Sequence, residues 1–248
     1  MAAILVTATI SPRPGVPNLA VTDPAQRLEE YMAAFGAHLE VLCSGTSVLV
    51  FVENSGADLS LFSDMAREKG LQHRVEFIHT PPPDYPAEYG RGYAEFRLID
   101  YALARSRFLT TLPDNALIWK VTGRYPLRNL VRLMATAPAH AEIYCNLRRF
   151  PMRFMDMYAF AATRCGFRAL LGATLLLRED RYGIAPEIML FGVLRALSLR
   201  PDVVVRFTLE PAIAGRRGKD GRRNDDWRQT AKRRVRAGAR RLLPAVWI

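Results

Sequence analysis

Short runs of β-forming apolar residues alternate with helical stretches through the first half of the chain, and this alternation restricts the fold more than any other feature. Ile4 to Ile10 reads as a strand in which Thr7 and Thr9 are the polar side chains. Asp23 followed by Pro24 supplies an N-cap and a first-turn proline for a helix to about Glu40, with Leu28, Tyr31, Met32 and Phe35 on one face. Ser47 to Val52 is nearly all apolar, as a strand covered on both faces must be. Asp58 caps a helix that Gly70 ends, and Val75 to His79 is a third strand. After a proline-rich loop from Thr80, a helix spans about Tyr93 to Arg107, and Ala116 to Val121 forms a fourth strand. Strands separated by helices in this order predict right-handed crossovers and a parallel, Rossmann-type α/β sheet.

The second half is less regular. Glu142 to Asn146 reads as a strand, Met155 to Thr163 as a strand or short helix, and Gly166 to Leu177 as a helix. Pro186 opens a helix to about Leu197, and Val203 to Phe207 is a last strand. With 248 residues, half of them hydrophobic, the chain has enough core to fold without staples. Its three cysteines, Cys43, Cys145 and Cys165, have neither disulfide nor zinc spacing, as in a reduced cytosolic protein. Met1 to Ile10 lacks the basic start of a signal peptide, and apolar stretches such as Ala169 to Leu177 are too short to cross a bilayer.

Charge is concentrated at the end of the chain. Gly215 to Arg241 holds twelve Lys or Arg against three Asp, nine of the net +11. Residues 1–213 therefore read as the globular unit, with halves at about 1–125 and 126–213, and 214–248 as a basic appendage. Within that appendage, Ala214 to Asp226 reads as a charged, Gly-rich linker. Trp227, Ala231, Val235 and Ala239 then recur every four residues, with arginines on the other faces. Such a basic amphipathic helix suits the plane of an anionic membrane, through Trp227, Arg233, Arg234, Arg240, Arg241 and Trp247. A solvated tail is the plainer reading. Nucleic acid ranks last, because no aromatic platform or zinc spacing accompanies the charges.

Parallel sheets bind ligands beyond the carboxyl ends of their strands, so the segments following each strand matter most. These are TATISPRPG, ENSGADLS (Glu53 to Ser60), YGRGYAE (Tyr89 to Glu95) and IWKVTGRY (Ile118 to Tyr125). Arg91, between Gly90 and Gly92 at a helix start, is placed to meet phosphate, and Lys120, Thr122 and Arg124 add donors. Other chemistries lack their motifs. No Gx4GK[ST] loop, GxSxG elbow or zinc-spaced histidine pair occurs, and GRGYAE is neither GxGxxG nor after the first strand. The turn after that strand, Ser11-Pro12-Arg13-Pro14-Gly15, is unlike the glycine-rich loop of a methyltransferase.

Three of these segments, Glu53 to Gly56 (ENSG), Gly90 to Glu95 (GRGYAE) and Lys120 to Tyr125 (KVTGRY), resemble those of GT-A-type bacterial glycosyltransferases from envelope and capsular polysaccharide synthesis. The resemblance covers roughly residues 3 to 220. It implies a GT-A-like sheet with flanking helices and a nucleotide-sugar donor over Thr7, Thr9, Glu53, Asn54 and Ser55. Glu53 would help hold the nucleoside. The diphosphate would lie toward Gly90, Arg91, Gly92, Tyr93, Glu95, Lys120, Thr122, Gly123, Arg124 and Tyr125, under a lid from Thr80 to Glu88. Most GT-A enzymes carry an Asp-x-Asp after strand four, where this chain reads Lys-Val-Thr-Gly-Arg-Tyr. Lys120 and Arg124 are therefore expected to neutralise the leaving diphosphate in place of a metal, with no resident cofactor and no divalent ion expected.

For an inverting transfer the base candidates are Glu187, at the start of a helix, then Asp156, then Glu95; a retaining enzyme needs none. The implied acceptor is a lipid-linked or growing envelope glycan, met at the inner membrane face, and part of the cluster Phe150, Met152, Phe154, Met155, Met157 and Phe160 would face it. The competing reading is a non-catalytic α/β module that docks through its basic tail. Deletion of the tail is expected to spare transfer to a soluble acceptor.

Overall fold

The computed structural model describes residues 2–45, 47–150, 152–182, 184–215 and 226–242. Its first half follows the alternation: β1 (Ala3–Ala8), α1 (Pro24–Cys43), β2 (Val48–Glu53), α2 (Ser60–Glu68), β3 (Val75–His79), α3 (Gly90–Arg105), α4 (Arg107–Thr110) and β4 (Ile118–Thr122). There follow α5 (Leu130–Ala135), β5 (Ile143–Tyr144), β6 (Leu147–Arg148), β7 (Phe154–Met155), β8 (Ala159–Ala162), α6 (Arg164–Leu171), α7 (Pro186–Leu197), β9 (Val203–Val204) and α8 (Trp227–Leu242).

The main sheet runs β3-β2-β1-β4-β8-β5-β9, with β6 and β7 forming a separate hairpin. The strands β3, β2, β1 and β4 are parallel, and β8 inserts antiparallel between β4 and β5. Strand order reverses at β1, because the first crossovers lead outward to β2 and β3 and the next returns to β4 on the other side. The loops leaving β1 and β4 diverge there and open a crevice.

Side chains of each strand alternate between two cores. Ile4, Val6, Leu49, Phe51 and Trp119 pack beneath α1, α2 and α5, where Phe35 and Phe62 meet Phe51. Leu5, Val50, Val52, Ile118 and Phe160 pack beneath α3, α6 and α7. Both layers are needed because β1 and β2 are buried at every position. Asp23 caps α1, its carboxylate accepting from Ala25 N at 3.1 Å and Gln26 N at 3.3 Å. Gly70 ends the α2 turn with φ +67°, a conformation that side chains disfavour.

The second half departs from its sequence reading. Met155 to Thr163 splits between a hairpin strand and a sheet strand, and Gly166 to Leu177 becomes α6 followed by a 3-10 stretch, Thr174–Tyr182. Thr163 starts α6 early by accepting from Gly166 N at 3.1 Å. The tail also departs: α8 lies against the body, with Arg240 buried at 7% exposure. Most of the expected linker, and Trp247, lie outside the described residues. No helix among the described residues is long and apolar enough to cross a membrane.

His38 is buried on α1, and neither ring nitrogen has a hydrogen-bond partner at good geometry. Burial lowers its pKa from 6.5 to about 4, with the Thr122 backbone offsetting only part of the cost. The folded protein holds this ring neutral, so its contribution is complete above pH 6.5 and is lost as the unfolded chain takes up the proton below it. Lowering the pH to 4 removes about 3 kcal/mol through this one group. Urea unfolding at pH 7 and pH 4 is expected to show that much less pH sensitivity in His38→Leu than in the wild type.

Candidate active site

A cleft of about 860 Å³ lies at the carboxyl ends of β1, β2 and β4, bounded by the loops after β1 and β3, the β6–β7 hairpin, the start of α7 and α8. Thr7, Thr9, Asn54 and Ser55 line it where the resemblance puts a nucleoside. Thr9 Oγ1 donates to Asn54 Oδ1 at 2.7 Å, and Thr7 Oγ1 to Glu95 Oε1 at 2.9 Å. Pro82, Pro83 and Tyr85, from the expected lid, form an adjoining wall. Arg13 stacks on Tyr85, its guanidinium 4.8 Å from the ring centre.

Glu53 stands behind this wall rather than on it. Its carboxylate is fully buried and accepts from Ile10 N at 3.1 Å, Ser55 N at 2.8 Å, Ala57 N at 3.3 Å and the Ser55 hydroxyl. It therefore clamps the loops after β1 and β2 to each other instead of meeting a ligand, because a buried carboxylate gathers donors from the nearest backbone. Arg27 and Tyr31, which the sequence did not single out, complete the loop. Arg27 Nε donates to Thr9 O at 2.8 Å, and Tyr31 Oη accepts from Thr9 N at 2.9 Å. Burial lowers the Arg27 pKa and raises that of Tyr31.

Gly92 of GRG and Gly123 of KVTGRY serve packing. A Cβ on Gly92 would lie 2.4 Å from the Pro186 Cβ, so α3 and α7 touch there with nothing between them. Gly123 leaves room for the Tyr31 ring, and Tyr93 packs edge-on against Tyr85 and Tyr89. Gly90 and Arg91 do line the cleft, with Thr122 and Tyr125 across from them. Gly90 begins α3 itself, and Arg91 Nε is buried there without a partner.

Lys120 and Arg124 border the cleft, yet neither is available as expected. Lys120 is 0% exposed, with Nζ 2.6 Å from Met157 O and 2.5 Å from Glu95 Oε1. Arg124 is buried against Glu30, its Nε 2.7 Å from Oε2. Each cation is matched by a carboxylate, because a charge removed from water requires a counter-charge. Both therefore reach the cleft already ion-paired.

A second group of charges lines the cleft around Arg148 and α8. Asp156 is buried and accepts from Arg148 Nε at 2.8 Å and from Asn146, which removes it as a base. Arg148 also reaches Tyr158 Oη at 2.9 Å and Glu210 Oε1 at 3.2 Å. Burial opposes the Arg148 charge, but Tyr158, Asp156 and Glu210 outweigh it and raise its pKa, while burial and then Asp156 raise that of Tyr158. From α8, Arg240 donates to Glu210 Oε2 at 2.9 Å, Phe207 O at 2.6 Å and Asn146 Oδ1 at 3.0 Å. Arg233 reaches Ile213 O at 2.5 Å, and Arg236 lies 3.7 Å from Glu210 Oε1.

The arginines of α8 thus divide between two sides of the helix. Arg233 and Arg240, expected to face a membrane, face the body, Arg240 drawn in by the buried Glu210 carboxylate and Arg233 by the Ile213 carbonyl. Trp227, 75% exposed, and Val235, 71% exposed, face outward, as do Ala231, Lys232 and Arg234. The Arg241 side chain lies outside the described residues. Glu187, half-buried at the start of α7, lines the cleft between these arginines and α3. Among the described residues, no three His, Cys, Asp or Glu side chains converge where they could hold a metal ion.

No protein-family model matches the sequence, and neither does any curated protein. Among solved structures, an active-site mutant of LgtC superposes with TM-score 0.50 at 10% identity, over 77% of this chain and 69% of that one. The fold is GT-A-like. LgtC described as a galactosyltransferase with donor and acceptor sugar analogs matches at TM-score 0.48 and 10% identity, over 79% of this chain and 70% of that chain. The glycosyltransferase GlyE of Streptococcus pneumoniae matches at 0.47 and 10%, over 83% of this chain but 45% of its own length.

Gly92→Ala forces a methyl group into the Pro186 ring, so unfolding free energy is expected to fall by about 1–3 kcal/mol in a urea titration. A loop glycine held only for phosphate would show no such loss.

Proposed function

We propose that the protein is a nucleotide-sugar-dependent glycosyltransferase acting on a lipid-linked or polysaccharide acceptor in bacterial envelope glycan synthesis. The observation that carries this reading is the cleft at the reversal point of a GT-A-like sheet, polar on its donor side and bearing Glu187 on the other. Thr7, Thr9, Asn54 and Ser55 offer hydrogen bonds to a nucleoside, and Arg91 offers charge to its phosphates. Transfer without a carboxylate-held metal is part of the proposal, because fixed guanidinium groups stabilise a developing diphosphate in a shielded cleft.

For inverting transfer, Glu187 takes the proton from the acceptor hydroxyl as that oxygen attacks the anomeric carbon from the face opposite the departing diphosphate. Met152 and Ile188, both exposed and both on the cleft, give the acceptor side an apolar edge suited to a lipid-linked substrate. The outward Trp227 and Val235, with Lys232 and Arg234 beside them, support peripheral attachment to the cytoplasmic face of an anionic membrane. Nucleic acid is not proposed as a partner.

A panel of nucleotide sugars is expected to contain one that raises the melting temperature by roughly 5 °C or more at about 100 times its Kd, unchanged by chelator. If none does, the non-catalytic module is the better reading. With the donor and acceptor known, Glu187→Gln is expected to lower kcat by about 10²- to 10⁴-fold and leave donor binding intact.

A further inference from the structure

Three arginines, Arg148, Arg236 and Arg240, stand around two carboxylates, Asp156 and Glu210, where α8 meets the β6–β7 hairpin, and Arg233, three residues before Arg236, bonds to Ile213 O beside them. An interface that only fastened the helix would match its charges, since burying cations in excess is costly. Here the excess has a direction. Arg148, Arg233 and Arg236 line the cleft, whereas Arg240 is used up in bonds to Glu210, Phe207 and Asn146. The Arg148 side chain is 5% exposed, and its Nη1 is buried without any hydrogen-bond partner. Arg236 has its nearest carboxylate oxygen at 3.7 Å, beyond hydrogen-bond reach.

From this geometry we infer that Arg148, Arg233 and Arg236 form a subsite for a phosphate or diphosphate group, with the C-terminal helix as one of its walls. Arg148 and Arg236 meet at Glu210, and Arg233 lines the same cleft three residues along α8, so together they offer paired N–H donors to phosphate oxygens. An anion there supplies the missing partner for Arg148 Nη1 and a hydrogen-bonded counter-charge for Arg236, which otherwise shares Glu210 with Arg148 and Arg240. Arg233 and Arg236 project together because they are three residues apart on one helix. The inference rests on the sugar-transfer reading only for what carries the group, either the donor's diphosphate or that of a lipid-linked acceptor. It reverses the expectation that the tail is dispensable, since α8 is part of the cleft.

Calorimetric titration of the full chain with inorganic pyrophosphate tests it. Arg236→Ala and Arg233→Ala are each expected to weaken binding roughly tenfold or more, as loss of a charged hydrogen bond does. Arg236→Lys should recover part of that loss. Arg234→Ala, on the outward side of α8, should bind as the wild type does. Equal affinity in the wild type, Arg236→Ala and Arg233→Ala, or an equal loss in Arg234→Ala, overturns the subsite, the second outcome because it reports only attraction to a basic protein. Repeating the titration with saturating nucleoside diphosphate separates the sources. Pyrophosphate heat that disappears assigns the group to the donor, and heat that persists assigns it to the acceptor. Failure of every nucleotide sugar to bind the wild type would undo the transferase reading and leave the pyrophosphate result standing.

Discussion

Burial of Asp156 and Glu210 is the constraint on which the second half of the molecule depends. Two carboxylates inside a protein must find cations and donors or be neutralised. The chain meets this need from three places: Arg148 on β6, Asn146 just before it, and Arg240 almost a hundred residues later on α8. The network ties the hairpin, the segment around Glu210 and the C-terminal helix into one wall. A helix whose composition suits the surface of a membrane is thereby held to the body by its arginines.

The same rule governs the donor half with a different result. Glu53, Glu95 and Glu30 each neutralise or organise a neighbour, so the residues that look most like phosphate ligands in sequence are already partnered. Lys120 with Glu95 and Arg124 with Glu30 form the framework of the cleft. The other arginines that line the cleft come from the loop after β1, from α3, from the β6–β7 hairpin and from α8: Arg13, Arg91, Arg148, Arg233 and Arg236. In this arrangement the rigid sheet supplies shape and the later elements supply charge.

The first half was legible in the sequence because strand and helix periods there are uninterrupted and their ends are marked by Asp23, Pro24, Asp58 and Gly70. The parallel pairing of the first four strands followed from the alternation, and the location of the cleft followed from the carboxyl ends of those strands. Residue roles were less legible. Glu53, Gly92 and Gly123 stand in recognisable motifs, but whether a side chain faces a ligand or the loop behind it depends on one bond rotation and on partners far along the chain. Arg148 and Glu210 carried no signal at all, being single charges in unremarkable contexts whose meaning comes from contacts 62 residues apart. The periodicity of Trp227, Ala231 and Val235 was read correctly as a stripe, yet a stripe does not state which side of the helix faces the protein.

The direct meeting of Gly92 with Pro186 has one more consequence. Helices α3 and α7 belong to opposite halves of the molecule, and at their starts a ring rests on bare backbone, leaving no layer of side chains to slide. The halves are therefore pinned like two blades at a rivet beside the cleft. The segments after β1 and β3 are cleft walls that this contact does not tie, while the separation of α3 and α7 beside the cleft is set by the scaffold.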